Sequence, residues 1–308
     1  MNKFLSCDWG TSSFRLRLVD AGTKEISGEV LSDEGMAETH QQWLASAKPA
    51  SERMDFYKAK LNAAIHKMPV TIYEHLPVIL SGMASSSIGM AELAYQKFPF
   101  TWDLSQWAVK KMERDKKFSH PLYLVSGFKT EDDVMRGEET LLLGCDVPDD
   151  GEKVFVFPGT HSKHVFVKNK TGVDFKTYMT GELFSLMAEK SILRTAVQKG
   201  MDEKAFAEGV QAVMDGNILH KFFGVRTRQL LQGTTPVSNY QWLSGLLIGT
   251  ELKDLKGRDF PVYLVSGGQL KHSYRTGLEL TALKGRIHDL NADDMLINGH
   301  CKIASHYF

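Results

Sequence analysis

A short run of small polar residues near the N-terminus has the composition of a phosphate-binding turn. A bound phosphate needs backbone N–H groups that it can approach closely, which glycine permits, together with hydroxyl donors. Asp8 stands just before this turn, where its carboxylate could hold the Mg²⁺ that accompanies a nucleotide, so it is a catalytic and metal-binding candidate. The same residue types are common in ordinary turns, so this stretch alone leaves both interpretations open. The candidate phosphate ligands are Gly10, Thr11, Ser12 and Ser13.

A second turn near the middle of the chain repeats the Gly-Thr pair. Two copies of one turn are harder to attribute to coincidence than either alone, and together they could hold the β- and γ-phosphates of a nucleotide. His161 and His164 have a spacing that could suit a metal ion, but two histidines without further ligands nearby do not indicate a metal site. The candidate phosphate ligands of this turn are Gly159, Thr160, His161 and Ser162.

A third small-residue stretch follows an apolar run in the second half of the chain. Ser266, Gly267 and Gly268 come directly after that run and precede a helical pattern that begins at Gln269. Consecutive glycines let a flat adenine or ribose lie against the backbone. A tight strand-to-helix turn without a ligand is the alternative, and only the combination with the two Gly-Thr turns favours nucleotide binding.

The residues on either side of both Gly-Thr turns predict β-hairpins. In each copy an apolar strand leads into the turn, and a second strand with apolar residues at alternate positions follows it. The second copy begins almost midway along the chain, which indicates a duplicated domain. We therefore expect two α/β lobes, 1–148 and 149–308, with the turn-rich stretch 145–152 between them and a second crossing of the backbone near the C-terminus.

Three further strands share one shape, a short apolar run that ends in Ser-Gly. They span Pro77–Gly82, Pro121–Gly127 and Pro261–Gly268. Such runs are typical of buried central strands, and ligands of α/β sheets gather at the carboxyl ends of these strands. Helical periodicity fills the intervals between them, and it predicts helices over 52–68, 133–144, 181–200, 202–215, 218–232, 240–255 and 291–304.

Composition argues against several other classes of protein. The 308 residues carry 37 basic and 37 acidic side chains, so no net positive field attracts nucleic acid or an anionic membrane. The chain has no N-terminal apolar run typical of a signal peptide and no stretch of about twenty apolar residues, and we expect it in the cytoplasm. Cys7, Cys145 and Cys301 are far apart in sequence and are expected to be reduced packing residues.

Four strings in the chain resemble motifs of the 2-dehydro-3-deoxygalactonokinase family. They are Gly82–Ser86 (GMASS), Asp133–Glu139 (DVMRGEE), Pro158–Lys163 (PGTHSK) and Met179–Phe184 (MTGELF). The resemblance covers most of the chain and implies the fold of actin, sugar kinases and Hsp70, with two ribonuclease-H-like α/β lobes and a cleft between them. It implies transfer of the γ-phosphoryl group of ATP, with Mg²⁺, to the 6-hydroxyl of 2-dehydro-3-deoxygalactonate in galactonate breakdown. The implied partners are this sugar acid and ATP, without nucleic acid or membrane, for a monomer or homodimer.

The resemblance also implies a general base. Related sugar kinases carry a Gly-Asp pair at the head of a helix shortly before their second phosphate hairpin, and Gly137-Glu138 occupies the corresponding place. Glu138 is therefore the first candidate for the base and Asp133 the second. We expect the stretch from Glu131 to open a helix, and the helix dipole equally explains an acidic residue such as Asp132 in a first turn.

The resemblance further implies residues that hold the acceptor. A sugar acid carries a carboxylate, which arginine binds as a fork, and Arg136 beside the proposed base is the first candidate. Lys163 is a second cation for the substrate, with phosphate as its alternative ligand. The implied contacts to the sugar are Gly82, Met83, Ala84, Ser85 and Ser86, among which the methionine is more typical of packing.

Two other functions remain open at this point. One keeps the fold and changes the acceptor to 2-dehydro-3-deoxygluconate, an N-acetylhexosamine or a polyol. The other is a non-catalytic nucleotide switch, which would hydrolyse ATP slowly and independently of small sugars. A switch of this kind usually carries a partner-binding domain, for which this chain has no spare length.

Overall fold

The computed structural model describes residues 3–72, 75–281 and 285–308 and divides them into two compact units. The first unit contains the described residues up to Asp149, together with Lys170–Val173 and Ala292–Phe308. The second unit contains Asp150–Asn169 and the described residues from Asp174 to Asn291. Each unit has its own β-sheet and its own helices, as the predicted α/β class requires.

Strands and helices alternate along the described part of the chain. The strands are β1 Lys3–Trp9, β2 Phe14–Asp20, β3 Ile26–Ser32, β4 Val78–Gly82, β5 Gln96–Lys97, β6 Phe100–Thr101, β7 Val109–Met112, β8 Leu122–Val125, β9 Phe128–Lys129, β10 Val134–Met135, β11 Glu152–Phe157, β12 Ser162–Lys168, β13 Thr171–Tyr178, β14 Val262–Ser266 and β15 Ile287–Asn291. The helices are α1 Met36–Ala45, α2 Arg53–His66, α3 Glu138–Gly144, α4 Thr180–Glu189, α5 Glu203–Ala212, α6 Ile218–Gln232, α7 Pro236–Leu252, α8 Gly268–Leu280 and α9 Ala292–Tyr307. None of the described helices has the length and apolar character needed to cross a membrane.

The two units repeat one strand order. In the first, β3-β2-β1-β4-β8 lie side by side, and β1 is antiparallel to β2 and parallel to β4. In the second, the corresponding order is β13-β12-β11-β14-β15, and β11 is antiparallel to β12 and parallel to β14. This order is that of a ribonuclease-H-like sheet, so the duplication predicted from the two Gly-Thr hairpins is confirmed.

The central strands are buried along their whole length. Every residue of β4, β8 and β14 is buried, which explains why these strands read as continuous apolar runs rather than as alternating patterns. Leu5 and Leu80 belong to the core of the first unit, and Val156 and Leu264 belong to the core of the second. The sheets therefore form rigid platforms from which the turns at their strand ends project.

The end of the chain requires a correction. A second lobe of 149–308 includes the last helix, but the structure places α9 in the first unit, at the end of the chain where a second crossing of the backbone was expected. Helix α9 packs closely on α3, because a Cβ atom at Gly144 would overlap the carbonyl oxygen of Met295. It also reaches β1, where Ser6 Oγ lies 2.7 Å from His300 Nδ1 in a fully buried contact. Burial lowers the pKa of His300 to about 3, so this imidazole is neutral at physiological pH.

A short segment of the predicted second lobe also belongs to the first unit. Thr171 and Gly172, at the start of β13, pair with β6 in antiparallel register. A Cβ atom at Gly172 would overlap the ring of Phe100, so the pairing depends on glycine at this position. Such pairing joins residues far apart in sequence and leaves no local pattern from which it could be read.

The helix predicted from Asp133 begins later than expected. Val134 and Met135 form β10, which pairs with β9, and α3 starts only at Glu138. Gly137 has φ +110°, a conformation that side-chain-bearing residues rarely adopt, and it separates the strand from the helix. The expected helix over 181–200 likewise ends at Glu189 and is followed by a separate 3₁₀ turn. Helix α1 was missed, because its N-cap, Gly35, provides no side-chain cap to signal it.

Candidate active site

The tip of the first hairpin is held by the start of α1. The amide of Gly10 donates to Ser13 O at 2.9 Å and closes the turn. In return the Gly10 carbonyl accepts from the amide of Met36 at 2.8 Å, and the Thr11 carbonyl accepts from Ala37 at 3.1 Å. The side chain of Ser12 is exposed, so the turn presents its outer face to solvent while its backbone is fixed from behind. Such an ordered, polar tip suits an anionic ligand.

Asp8 lies beside this tip with one carboxylate oxygen already engaged. Its Oδ2 lies 2.8 Å from Arg15 Nη2, and Arg15 Nη1 lies 2.7 Å from Asp293 Oδ1 at the start of α9. The other oxygen, Oδ1, faces Gly82, where a Cβ atom would stand 3.1 Å away. We did not predict Arg15, although the hairpin register places it directly opposite Asp8, and the opposite charges were a usable signal.

The acidic side chains in this region could supply Mg²⁺ with only a small number of protein ligands. Among the described residues, no group of three or more His, Cys, Asp or Glu side chains lies close enough to enclose a metal ion. Mg²⁺ in phosphoryl-transfer sites commonly uses one or two carboxylates and completes its shell with phosphate oxygens and water. Oδ1 of Asp8 is compatible with a single-carboxylate site of that kind.

The turn that follows β4 contains the residues expected to contact the acceptor. Gly82 has φ +79°, and Met83–Ser85 form one 3₁₀ turn after it. The Ser86 hydroxyl donates to the Met83 carbonyl at 2.7 Å and closes this turn. Ala84 and Ser85 are fully buried, whereas Met83 is half-buried and packs against the core, as expected for a methionine in a packing role.

Arg136 meets this turn directly. Its Nη1 donates to Ser85 Oγ at 2.6 Å, its Nη2 donates to the Leu93 carbonyl at 2.7 Å, and its guanidinium lies 3.9 Å from the ring centroid of Tyr95. The guanidinium carries five N–H donors, and these two hydrogen bonds use two of them. The buried Nε has no hydrogen-bond partner among the described residues. The structure thus brings together Arg136 and Ser85, which were each predicted as substrate residues, and their role as such stays a prediction.

The proposed base also lies next to the turn. A Cβ atom at Gly137 would stand 3.4 Å from the Cα of Gly82, so the backbone at Gly137 lies against that turn. Glu138, the next residue, is the first residue of α3. Asp8, Gly82 and Glu138 therefore belong to one neighbourhood of the first unit. Asp133 lies in the preceding turn, where its Oδ1 accepts from the amide of Val134 at 2.7 Å.

Glu139, which we did not predict, is the buried carboxyl of this region. It is fully buried, and its two oxygens lie 2.8 and 2.9 Å from the amide of Gly137. Burial, and next the negative charge of Glu138, raise the pKa of Glu139 to about 8. The sequence offered no signal to distinguish the two glutamates, because only the packing of α3 decides which one faces the interior.

The tip of the second hairpin is fixed by side chains as well as by backbone. The amide of Gly159 donates to Ser162 Oγ at 3.3 Å, and His161 Nε2 lies 2.5 Å from Glu182 Oε2. Lys163 is buried, and its ammonium donates to the carbonyl of His161 at 2.9 Å. The predicted substrate cation therefore also supports the backbone of the turn.

The string Met179–Phe184, noted only for its resemblance, packs on this tip. The amide of Glu182 donates to the carbonyl of Thr160 at 3.0 Å. A Cβ atom at Gly181 would stand 2.5 Å from the carbonyl oxygen of Gly159, so only glycine permits this approach. The start of α4 is thereby seated against the Gly-Thr turn.

A cavity of about 240 Å³ opens beside the same tip, within the second unit. Gly159 borders it on one side, and side chains of α4, α7 and α8 form its mixed polar and apolar walls. Ser266 ends β14, and Gly268 has φ +58° at the start of α8, the helix whose next residues, Gln269 and Leu270, line the cavity. A Cβ atom at Gly267 or at Gly268 would meet no atom within 4 Å, so open space lies next to this backbone, as a flat ligand requires. The lining residues include Thr180, Gly181, Phe184, Tyr240, Gln241, Ser244, Leu247, Gln269, Leu270 and Tyr274.

Known proteins resemble this chain over most of its length. A Rhizobium meliloti protein assigned as a 2-dehydro-3-deoxygalactonokinase is 33% identical over 297 residues, which cover 93% of this chain and 92% of that protein. The Escherichia coli 2-dehydro-3-deoxygalactonokinase is 30% identical over 227 residues, 69% of this chain and 75% of that protein. A crystal structure from Sinorhizobium meliloti, assigned to the same enzyme, superposes with a TM-score of 0.82 at 30% identity and covers 99% of this chain and 97% of that one. Residues 8–303 match the family described as 2-keto-3-deoxy-galactonokinase, and the chain belongs to that family.

Proposed function

We propose that this protein transfers the γ-phosphoryl group of ATP to the 6-hydroxyl of 2-dehydro-3-deoxy-D-galactonate, as a cytoplasmic step of galactonate breakdown. The observation that carries the proposal is the convergence of Asp8, the Gly82 turn and the Gly137-Glu138 pair in the first unit. Phosphoryl transfer needs alignment, electrostatic stabilisation and a carboxylate that accepts the proton of the attacking hydroxyl. Membership of the family supports the choice of donor and acceptor.

The acceptor-side roles fall to the first unit. Glu138 accepts the proton of the 6-hydroxyl, with Asp133 as the second candidate for this role. The turn Gly82–Ser86 contacts the sugar hydroxyls, and Arg136, whose fork retains N–H donors beyond those given to Ser85 and Leu93, pairs with the acceptor carboxylate.

The nucleotide-side roles fall to the two hairpin tips and to the cavity of the second unit. The tips Gly10–Ser13 and Gly159–Ser162 bind phosphate oxygens through backbone amides other than those of Gly10 and Gly159, which close the two turns. Ser266–Gly268 supports the adenosine beside the cavity. Lys163 contributes a positive charge close to the second tip. Asp8 would hold Mg²⁺ through Oδ1, and the bound ion would neutralise phosphate charge during transfer.

ADP release from MgATP, measured with a panel of acceptors, tests this proposal. The panel contains 2-dehydro-3-deoxygalactonate, its gluconate epimer, N-acetylglucosamine, glycerol and no acceptor. We expect strong stimulation by the first compound alone. Stimulation by another compound instead would overturn the proposed substrate, and slow hydrolysis that no acceptor changes would favour the nucleotide switch.

The role of Glu138 has its own test. Glu138→Gln removes the proton acceptor with little change in shape, and turnover should fall by roughly 10²- to 10⁴-fold while MgADP affinity stays close to wild type. Glu131→Gln, a change of the same chemistry at an exposed nearby position, is the matched control. Normal turnover in the Glu138 variant would rule out this residue as the base and return attention to Asp133.

A further inference from the structure

A buried carboxylate in the second unit lies at the centre of a hydrogen-bond network that the roles above do not include. Glu251, on α7, is 2% exposed. Its Oε1 lies 2.9 Å from His164 Nε2, and its Oε2 accepts from Tyr274 Oη at 2.7 Å and from the hydroxyl of Thr180. Burying a carboxylate costs several kcal/mol unless donors surround it, so three donors from three separate elements indicate a specific arrangement.

The network reaches the second phosphate tip through Tyr274. The Tyr274 hydroxyl lies 2.7 Å from Ser162 Oγ, and Ser162 Oγ accepts from the amide of Gly159. The hydroxyl of Tyr274 has one proton and donates it in the hydrogen bond to Glu251 Oε2, so the Tyr274 oxygen is left to accept from the hydroxyl of Ser162. Burial, and next the charge of Glu251, raise the pKa of the Tyr274 phenol well above its ordinary value, which keeps it a donor. In this series of hydrogen bonds, the hydroxyls of Ser162 and Tyr274 therefore both donate in the direction of Glu251.

This direction has a consequence for the phosphate turn. The single hydroxyl proton of Ser162 is committed to Tyr274, so the side chain of Ser162 orients the turn rather than donating to a phosphate. The amide of Gly159 belongs to the same network, because it donates to Ser162 Oγ. The donors left to a phosphate at this tip are the other backbone amides and the hydroxyl of Thr160.

The same carboxylate fixes α4. Thr180 is the first residue of that helix, and its hydroxyl donates to Glu251 Oε2. The next residue, Gly181, packs against the carbonyl of Gly159. Thr180, Gly159 and Tyr274 all border the 240 Å³ cavity. One side chain thus holds three segments around the tip: β12, through His164; the start of α4; and helix α8, through Tyr274.

We infer that Glu251 is a positioning residue for the nucleotide: through Thr180 and Tyr274 it sets the conformation of the Gly159–Ser162 turn to receive the phosphates. The inference rests on the proposed nucleotide-side role of this turn. Groups that bind a ligand must be held within about 0.5 Å of their productive positions by supporting hydrogen bonds, so the network need not touch the nucleotide to affect its binding.

Matched variants of the full-length protein test the inference. Thr180→Val keeps the shape of the side chain and removes its hydroxyl donor, whereas Thr180→Ser retains a hydroxyl. Tyr274→Phe removes the hydroxyl that joins Ser162 to Glu251, and Glu251→Gln replaces the carboxylate that accepts from Thr180 and Tyr274. Glu189→Gln, on the exposed face of α4, is the control. We expect the KM for MgATP and the Kd for MgADP by calorimetry to rise roughly tenfold or more in Thr180→Val and Tyr274→Phe. Thr180→Ser should return toward wild type, and the acceptor KM should change little in every variant.

The outcomes separate this inference from the proposed function. Unchanged nucleotide KM and Kd in both Thr180→Val and Tyr274→Phe would overturn the inference, even if Glu251→Gln proves too unstable to purify. A loss of kcat in both Thr180→Val and Tyr274→Phe, with no change in the KM for MgATP or the Kd for MgADP, would also overturn it. If the wild type binds MgADP but no acceptor stimulates turnover, the proposed substrate fails while the MgADP measurements still decide the role of Glu251.

Discussion

The buried carboxyl of Glu139 should make the stability of the protein depend on pH. Its pKa is about 8 in the folded protein, against 4.5 for an exposed glutamate, so the folded state binds a proton that the unfolded state releases. The stabilising contribution is complete below about pH 4.5, declines as the unfolded state ionises, and is lost as pH rises through about 8. At about 1.36 kcal/mol per pH unit, the total is on the order of 5 kcal/mol.

Glu139→Gln tests this reasoning because an amide has nearly the same shape and cannot ionise. Its carbonyl oxygen can still accept from the amide of Gly137. Urea denaturation of wild type and variant between pH 5 and 8.5 should show a free energy of unfolding that falls more steeply with pH in the wild type, by up to about 1.4 kcal/mol per pH unit. The variant should therefore be the more stable of the two at pH 8.5. Parallel pH profiles for the two proteins would refute the assignment of the shifted group to Glu139.

Two further variants probe the two ligand sites separately. Arg136→Lys replaces the planar guanidinium, which donates to Ser85 and Leu93 and stacks on Tyr95, with a single ammonium that cannot form a two-nitrogen fork with a carboxylate. The acceptor KM should therefore rise roughly tenfold to hundredfold in steady-state assays while MgADP affinity is unchanged, and an unaltered acceptor KM would exclude Arg136 from acceptor binding. Gly267→Ala adds a methyl group that meets no protein atom within 4 Å, so the free energy of unfolding should change by less than about 1 kcal/mol. The same methyl group should raise the Kd for MgADP by roughly tenfold, and unchanged affinity in calorimetry would place the adenosine elsewhere.

Features with a local cause could be predicted from the sequence. The two hairpins were recognised because apolar strands flank a Gly-Thr turn in both, and the register confirms their extents, with Trp9 opposite Phe14 and Phe157 opposite Lys163. The buried strands ending in Ser-Gly were recognised because a strand covered on both faces is apolar at every position and does not alternate between apolar and polar residues. Helix α6 was expected at the residues where it occurs because of its helical periodicity, and the structure shows that the side chain of Asn217 caps its start.

Other features depend on contacts between distant segments and could not be predicted. Neighbouring glutamates on a helix point about 100° apart, so the sequence cannot tell which of Glu138 and Glu139 faces the core until the partner of α3 is known. That partner is α9, which comes from the far end of the chain and fits only because Gly144 allows close approach.

The sequence by itself determined the duplicated α/β plan, the two Gly-Thr hairpins and the family, because these depend on short strings and their periodicity. The tertiary structure alone decided which side chains meet. It packs α9 on α3, places Arg136 against Ser85, and surrounds Glu251 with His164, Thr180 and Tyr274. A buried charge is stabilised only by donors that surround it, and those donors come from segments whose separation along the chain carries no record of their proximity.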